Sequence, residues 1–123
     1  MMLKEQSILT IDEYGTKRWQ NKEGKYHRIN GPAIKWRSGT NFWYQNGLLH
    51  RIVNPAIEWS NGRREWYQKG KRHRIDGPAI DYGDGRTLWY IRGVHFKTKE
   101  AFFEALSDEE KSIALFSEDF LNA

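Results

Sequence analysis

The sequence contains no cysteine. That absence excludes a disulfide framework and a thiolate metal site, and it suits a reducing compartment. Long hydrophobic runs are missing too, so no stretch approaches the roughly 20 apolar residues of a membrane span. Near the start, Lys4 and Glu5 interrupt the apolar core that a signal peptide would need. We therefore expect a soluble, cytoplasmic protein.

Recognisable catalytic groupings are also lacking. The chain shows no nucleophile with a repeating base, no paired carboxylates and no phosphate-binding loop at an informative spacing. The composition therefore predicts a protein that is not an enzyme and that needs no cofactor.

What the chain does contain is an internal repeat with a period of 23 residues. A fixed period of this size, shared by many columns, is typical of a repeat architecture. We expect a β-repeat array over residues 1–96 and an acidic helical cap over 97–123. The repeating columns are Gly24, Gly47, Gly70 and Gly93; Trp43, Trp66 and Trp89; Tyr44, Tyr67 and Tyr90; His27, His50 and His73; Arg28, Arg51 and Arg74; and Pro32, Pro55 and Pro78.

Each unit has the pattern of a hairpin. In the middle unit, residues 55–59 predict a strand, 60–63 a turn and 64–68 the returning strand. Asn61-Gly62 favours a tight turn because glycine takes positive φ without steric cost. The predicted fold is mainly β: a single-sheet antiparallel meander of 23-residue hairpins, followed by a short C-terminal α-helical cap.

The C-terminal segment departs from the repeat and predicts two short helices. Thr98 can cap the first, and Ser107 with Glu110 forms a capping box for the second. We expect the helices to form a lid over the last hairpin, where a bare edge would invite aggregation. The alternatives are that they contact a partner or shield the basic sheet. The apolar residues assigned to the lid are Phe102, Phe103, Leu106, Ile113, Leu115 and Phe116.

The unit resembles a known family of repeats. The string from His73 to Ala79, His-Arg-Ile-Asp-Gly-Pro-Ala, with Gly and Trp-Tyr further on, is similar to MORN-like repeats of many small proteins from tailed phages and large DNA viruses. The resemblance covers about residues 8 to 96 and implies a hairpin array that acts as a scaffold, a lipid-contacting module or an appendage of an enzyme. Ordinary MORN units have Gly after the His, whereas this chain has Arg. If the protein is viral, its compartment is the host cytoplasm.

The histidine column suggests a metal site, since imidazole is a common ligand. Equivalent residues of successive two-stranded units lie about 10 Å apart, whereas ligand atoms must lie about 2 Å from one ion. We therefore predict no metal, and a hydrogen bond from each His to a turn carbonyl or a neighbouring unit.

The aromatic and arginine columns are the candidate binding residues. Trp and Tyr alternate between the two faces of a strand, and a row of Arg suits carboxylates or phosphates. The alternatives are that the Trp side chains only pack the sheet and that each Arg braces a turn by pairing with Glu58, Asp76 or Asp81. The predicted partner-binding residues are Arg28, Arg51, Arg74, Trp43, Trp66, Tyr44 and Tyr67.

Charge is distributed unevenly along the chain. Residues 1–99 hold 19 Lys and Arg against 9 Asp and Glu, a net charge of +10, while residues 100–123 carry a net charge of −6. A basic sheet with exposed aromatic residues is compatible with an acidic protein, nucleic acid or an anionic membrane surface. Because a β surface with Trp, Tyr and Arg has the composition of an interface hot spot, we predict a protein-binding module. The resemblance implies a phage accessory protein that binds and inhibits a host or viral protein. The alternative is binding of nucleic acid or anionic lipid by the basic array. The oligomeric state is predicted as a monomer or an edge-paired homodimer.

Overall fold

The computed structural model describes residues 7–123, so the charged stretch around Lys4 and Glu5 lies outside the described residues. Residues 7–123 form thirteen short strands followed by three short helices. The prediction of a mainly β, antiparallel fold with a C-terminal helical cap is confirmed. The strands are β1 Ile8–Ile11, β2 Lys17–Gln20, β3 Ile34–Lys35, β4 Asn41–Phe42, β5 Tyr44–Gln45, β6 Leu48–Leu49, β7 Ile57–Glu58, β8 Arg64–Glu65, β9 Tyr67–Gln68, β10 Lys71–Arg72, β11 Ile80–Asp81, β12 Thr87–Ile91 and β13 Val94–Phe96.

Nine of these strands form one antiparallel sheet in the order β1-β2-β3-β4-β7-β8-β11-β12-β13. The predicted returning strand 64–68 is divided at Trp66, and β9 pairs with β10 in a separate two-stranded sheet, as β5 does with β6. The ladder shifts partner at this point. The Trp66 N–H donates to the Ala79 carbonyl at 2.7 Å, whereas the Trp66 carbonyl accepts from the His73 N–H at 3.0 Å. Each complete unit therefore contributes two hairpins.

The second hairpins turn through pairs of left-handed residues. Asn46 and Gly47 have φ of 49° and 82°, and Lys69 and Gly70 have φ of 51° and 80°. Positive φ at both central residues matches the twist of a two-residue hairpin turn. Lysine adopts this conformation less readily than Asn or Gly, so the turn at Lys69 needs support from outside its own hairpin.

The core has two parts. Along the sheet, the Ala-Ile pair that follows each proline is buried, with Ala33, Ala56 and Ala79 fully inaccessible. At the C-terminal end, the last hairpin and the helices share one apolar cluster, which contains Trp89, Ile91, Phe102, Leu106, Ala114 and Phe120.

The cap consists of α1 Lys99–Ala105, α2 Asp108–Leu115 and α3 Glu118–Leu121. Thr98 and the Ser107 capping box begin the first two helices as predicted, and Ser117 begins a third that was not predicted. The lid residues expected from α2 were wrong. Ile113, Leu115 and Phe116 are exposed, because α2 turns the small Ala114 inward and Phe120 of α3 fills the cluster instead.

Within residues 7–123, no helix has the length and apolar character needed to cross a bilayer.

Candidate binding surfaces of the repeat array

Strand register divides the sheet into two faces. Cross-strand partners in a sheet project on the same side, so one row defines each face. The aromatic face carries the row Arg18, Ile34, Phe42, Ile57, Glu65, Ile80 and Leu88. The charged face carries the row Lys17, Lys35, Asn41, Glu58, Arg64, Asp81 and Thr87.

On the charged face, each arginine of the repeat stacks on a tryptophan. The Arg51 Cζ lies 3.8 Å from the centroid of the Trp43 ring, and the Arg74 Cζ lies 3.9 Å from that of Trp66. Arg28 stacks on the Trp of the first unit in the same way, at 3.8 Å. A guanidinium over an indole is the most favourable cation–π pair, and its strength grows when the pair is desolvated.

The same guanidinium groups fasten the loop that leads to the next unit. Nη1 of Arg28, Arg51 and Arg74 donates to the carbonyl of the proline four residues later, at 3.3, 3.1 and 3.2 Å. Arg51 also pairs with Glu58 at 3.4 Å, and Arg74 pairs with Asp76 at 2.9 Å. This bracing was one of the alternatives for the column, although Asp81 pairs with Arg64 instead.

Accessibility differs among the predicted binding residues of this face. Arg74 is only 8% exposed and Trp66 only 5%, whereas Arg28, Arg51 and Trp43 are half-buried. Partner binding by these side chains stays a prediction. Their contacts within the chain show a role in holding each loop to its hairpin.

The histidine column connects successive units. Nδ1 of His27, His50 and His73 accepts a hydrogen bond from the backbone N–H of Asn46, Lys69 and Arg92, at 3.0, 3.0 and 2.9 Å. The predicted bond to a neighbouring unit is confirmed, but the partner is an N–H donor and not a carbonyl. Each His thereby supports the left-handed turn of the following unit. Residues 7–123 contain no cluster of three potential metal ligands.

Burial lowers the pKa of His73, and the nearby Arg92 lowers it further, while Glu110 opposes them. Both effects favour the neutral imidazole. Only an unprotonated Nδ1 can accept the Arg92 N–H, so the hydrogen bond and the pKa shift favour the same protonation state.

The aromatic face carries a connected group of rings near its centre. Phe42 contacts Trp36 edge-on at a centroid distance of 4.8 Å, Trp59 at 5.3 Å and Tyr44 at 6.3 Å, and Tyr44 contacts Tyr26 at 5.4 Å. These geometries are the offset and edge-on arrangements that aromatic pairs prefer. Four of the rings are half-buried and Trp59 is 38% exposed, so the group presents an open aromatic surface.

Arginine side chains contact two further tyrosines of this face, Tyr67 and Tyr82. The guanidinium carbons of Arg63 and Arg86 each lie 4.6 Å from the centroid of the Tyr82 ring. Arg72 donates from Nε to the Tyr67 hydroxyl at 3.2 Å. The aromatic face therefore combines large rings with positive charge.

A buried carboxylate interrupts the apolar row of this face. Glu65 occupies the position held by Phe42 and Leu88 in the flanking units, yet it is only 4% exposed. Its carboxylate accepts from Trp59 Nε1 at 2.8 Å and from the Tyr67 hydroxyl at 3.1 Å, and it lies 3.1 Å from Arg63 Nε. Burial raises the pKa of Tyr67, and the Glu65 charge raises it further.

The predicted binding residues thus fall on two faces. Tyr44 and Tyr67 belong to the aromatic face, whereas the Arg and Trp candidates belong to the charged face. The sequence reasoning missed Trp36 and Trp59, which contribute two indoles to the aromatic face. Their signal was present, because Trp36, Trp59 and Tyr82 also follow the 23-residue period.

Comparison with protein-family models, with curated proteins and with solved structures gave no match to this chain.

Proposed function

We propose that this chain is a non-catalytic, MORN-like protein-binding module that docks on a partner protein through its aromatic face. The observation that supports this is the connected group of five rings, from Tyr26 to Trp59, left open in the middle of the sheet. Trp, Tyr and Arg are the residue types enriched in interface hot spots. Aromatic side chains also lose little conformational entropy on binding, because two χ angles position each ring.

The partner we expect is a protein with an acidic surface. Residues 1–99 carry a net charge of +10, and complementary charge accelerates association. The resemblance to repeats of phage and large DNA virus proteins extends the proposal to a viral accessory protein that binds, and thereby inhibits, a host or viral protein. Pairing of two copies through the edge strand Ile8–Ile11, whose four residues are exposed, stays a prediction.

A second candidate function is the binding of single-stranded nucleic acid. Arg63 and Arg86 flank the Tyr82 ring, and stacking platforms beside cations are how such strands are bound without base specificity. Anionic lipid would use the same charge. Both alternatives predict binding that weakens steeply as salt rises, because released counterions drive it.

The test is affinity capture from a bacterial lysate with the full chain as bait. One arm is treated with nuclease, and a second is washed with salt at about 0.5 M, where exposed charges are screened beyond about 4 Å. The double variant Trp36→Ser/Tyr44→Ser removes two rings of the aromatic face. Val94→Ser is the matched control, because Val94 is an exposed apolar residue of the last hairpin.

We expect one stoichiometric protein that survives nuclease and salt, is lost with the double variant and is retained with Val94→Ser. Circular dichroism of both variants checks that each keeps its fold. Capture of nucleic acid alone, lost as salt rises, would favour the second candidate. A protein that the double variant retains fully would remove the aromatic face from the proposal.

A further inference from the structure

The loop of the third unit, residues 73–78, is covered by the chain's own acidic helical cap. Asp119 Oδ2 contacts Arg74 Nη2 at 2.6 Å, and the Ser117 hydroxyl donates to the Asp76 carbonyl at 2.7 Å. Ile75 packs against the apolar cluster that contains Phe120. The chain therefore shows how an acidic helical segment binds a His-Arg-Ile loop, through one carboxylate on the guanidinium and apolar packing on the isoleucine.

The loop of the second unit, residues 50–55, is built on the same frame. Arg51 stacks on its tryptophan at 3.8 Å and Arg74 at 3.9 Å. The backbone N–H of each arginine donates to the Tyr carbonyl of the next unit, at 3.1 Å from Arg51 and 3.2 Å from Arg74. Among residues 7–123, the Arg51 guanidinium makes its hydrogen bonds through Nη1 alone. Its Nη2, the atom that corresponds to the one Asp119 contacts on Arg74, remains available.

The tip of this loop is apolar and open. Ile52 is 59% exposed and Val53 is 73% exposed, while the equivalent Ile75 is partly buried by the cap. Val53 also has φ of 74°, with the Asn54 N–H donating to the Ile52 carbonyl at 2.9 Å. Such a γ-turn is strained for a β-branched residue, and strained residues cluster at binding and switch sites.

A groove continues from this tip towards the cap. The groove has a volume of about 300 Å³, and its apolar lining comes from Ile52, Val53 and Trp66 on the array side and from Ile113 of α2 on the other. Its polar lining includes Arg74 and two carboxylates, Asp76 and Glu110, so an acidic partner must keep its own carboxylate near Arg51 and place apolar side chains in the groove. Ile113 is itself exposed. An apolar side chain entering here would contact aliphatic carbon from both walls.

We propose that the loop 50–55 is a docking site for an acidic helical segment of a partner protein. The partner's carboxylate binds Nη2 of Arg51, and its apolar side chains cover Ile52 and Val53 in the groove. The net charge of +10 over residues 1–99 supports an acidic partner. This site is separate from the aromatic face, so its existence does not depend on the function proposed above.

Two differences from the third unit reduce the polar contribution to partner binding at this site. The Val53 carbonyl already accepts from Trp66 Nε1 at 3.1 Å, and Glu58 lies 3.4 Å from Arg51 Nη1. The backbone bond that Ser117 makes in the third unit has no counterpart here, and Glu58 offsets part of the positive charge. Apolar contact with Ile52 and Val53 must therefore supply most of the affinity.

The probe is a labelled synthetic peptide with the sequence of residues 107–123, titrated into the full chain by fluorescence anisotropy. We expect saturable one-to-one binding that falls about tenfold or more with Ile52→Ser or Val53→Gly, since each removes apolar area. Leu48→Ser is the matched control, because Leu48 is a half-exposed aliphatic residue of the same unit that lies outside the groove. A peptide carrying Asp119→Asn should bind severalfold more weakly.

The proposal is overturned if the peptide fails to bind at about 1 mM, a concentration that would detect even the weakest specific complexes. Equal binding by the Ile52→Ser and Leu48→Ser proteins overturns it too, since that result places the peptide elsewhere. Self-association abolished by Ile52→Ser would show a second copy as the occupant and refute a separate partner. The Trp36→Ser/Tyr44→Ser protein should still bind the peptide, so failure of one proposal leaves the other intact.

Discussion

The substitution Gly77→Ala tests the arginine bracing of the repeat. Gly77 is buried, and it does not adopt the left-handed backbone that would itself exclude alanine. A Cβ at this position would lie 2.6 Å from Arg74 Cζ and 2.8 Å from its Nη1, so the guanidinium must move. Without that contact, the change from Gly to Ala would stabilise the chain by about 0.4–1 kcal/mol through the unfolded state.

Four contacts hold the Arg74 guanidinium in place and determine what its displacement costs. They are the Trp66 ring at 3.9 Å, the Pro78 carbonyl at 3.2 Å, Asp76 at 2.9 Å and Asp119 at 2.6 Å. A desolvated cation–π pair contributes about 2 kcal/mol and a hydrogen bond to a charged group about 1.5–3 kcal/mol. Asp76 and Asp119 are partly solvated, so we discount their share and expect a loss of about 3 kcal/mol. That loss corresponds to a fall in Tm of roughly 10 °C.

The assay is thermal and urea unfolding of Gly77→Ala in two backgrounds, wild type and Arg74→Ala. Removal of the guanidinium removes the clash, so in the second background the substitution should be neutral or stabilise the chain by up to about 1 kcal/mol, a clear departure from additivity. Asn54→Ala is the control, because this equivalent position in the second unit already carries a Cβ. An equal loss in both backgrounds would refute the bracing argument.

Three further predictions concern other contacts. Val53→Gly should raise the free energy of unfolding by about 1 kcal/mol in urea titrations. The substitution relieves backbone strain of roughly 1–3 kcal/mol and costs about 0.5–1 kcal/mol of conformational entropy. Destabilisation would show that Val53 is unstrained. The folded chain holds the pKa of His73 below its ordinary 6.5, so the contribution of His73 to stability should be full above pH 6.5 and fall as the pH drops below it. The substitution His73→Asn keeps a hydrogen-bond acceptor and should flatten the dependence of the unfolding free energy on pH. An unchanged dependence would show that His73 is not its source. Glu65→Ala should lower the free energy of unfolding by about 2 kcal/mol in urea titrations, since it leaves the Trp59 N–H and the Tyr67 hydroxyl without their acceptor. The control Glu58→Ala, on the open charged face, should change that free energy by less than about 0.5 kcal/mol. Equal effects would contradict the argument from the burial of Glu65.

Much of the fold could be predicted from the sequence, because single residue types at fixed positions of the repeat determine the local structure. Proline, the turn glycines and the Ala-Ile pair fix the start, the turn and the buried face of each first hairpin. The break at Trp66 was not predictable in this way, since it arises when its N–H and its carbonyl bond to different units. Likewise, α3 has only four residues, too few for a periodic signal.

The binding surfaces were harder to predict, because exposure depends on what lies above each ring. Trp43 and Trp66 look like Trp36 and Trp59 in the sequence, yet an arginine eight residues further along covers the first pair. That stacking joins a tryptophan between two strands to an arginine of the following loop, and the period alone does not reveal it. Within residues 7–123, Trp36 and Trp59 have no guanidinium stacked on them, and their indoles therefore stay open.

The most direct measurement of the proposed function is hydrogen–deuterium exchange of the chain, free and bound to the protein captured in the lysate experiment. Binding through the aromatic face predicts slower exchange of backbone amides in Ile34–Lys35, Asn41–Phe42 and Tyr44–Gln45, with the helical cap unchanged. Protection confined to α1 and α2, with these three strands unaffected, would contradict the account.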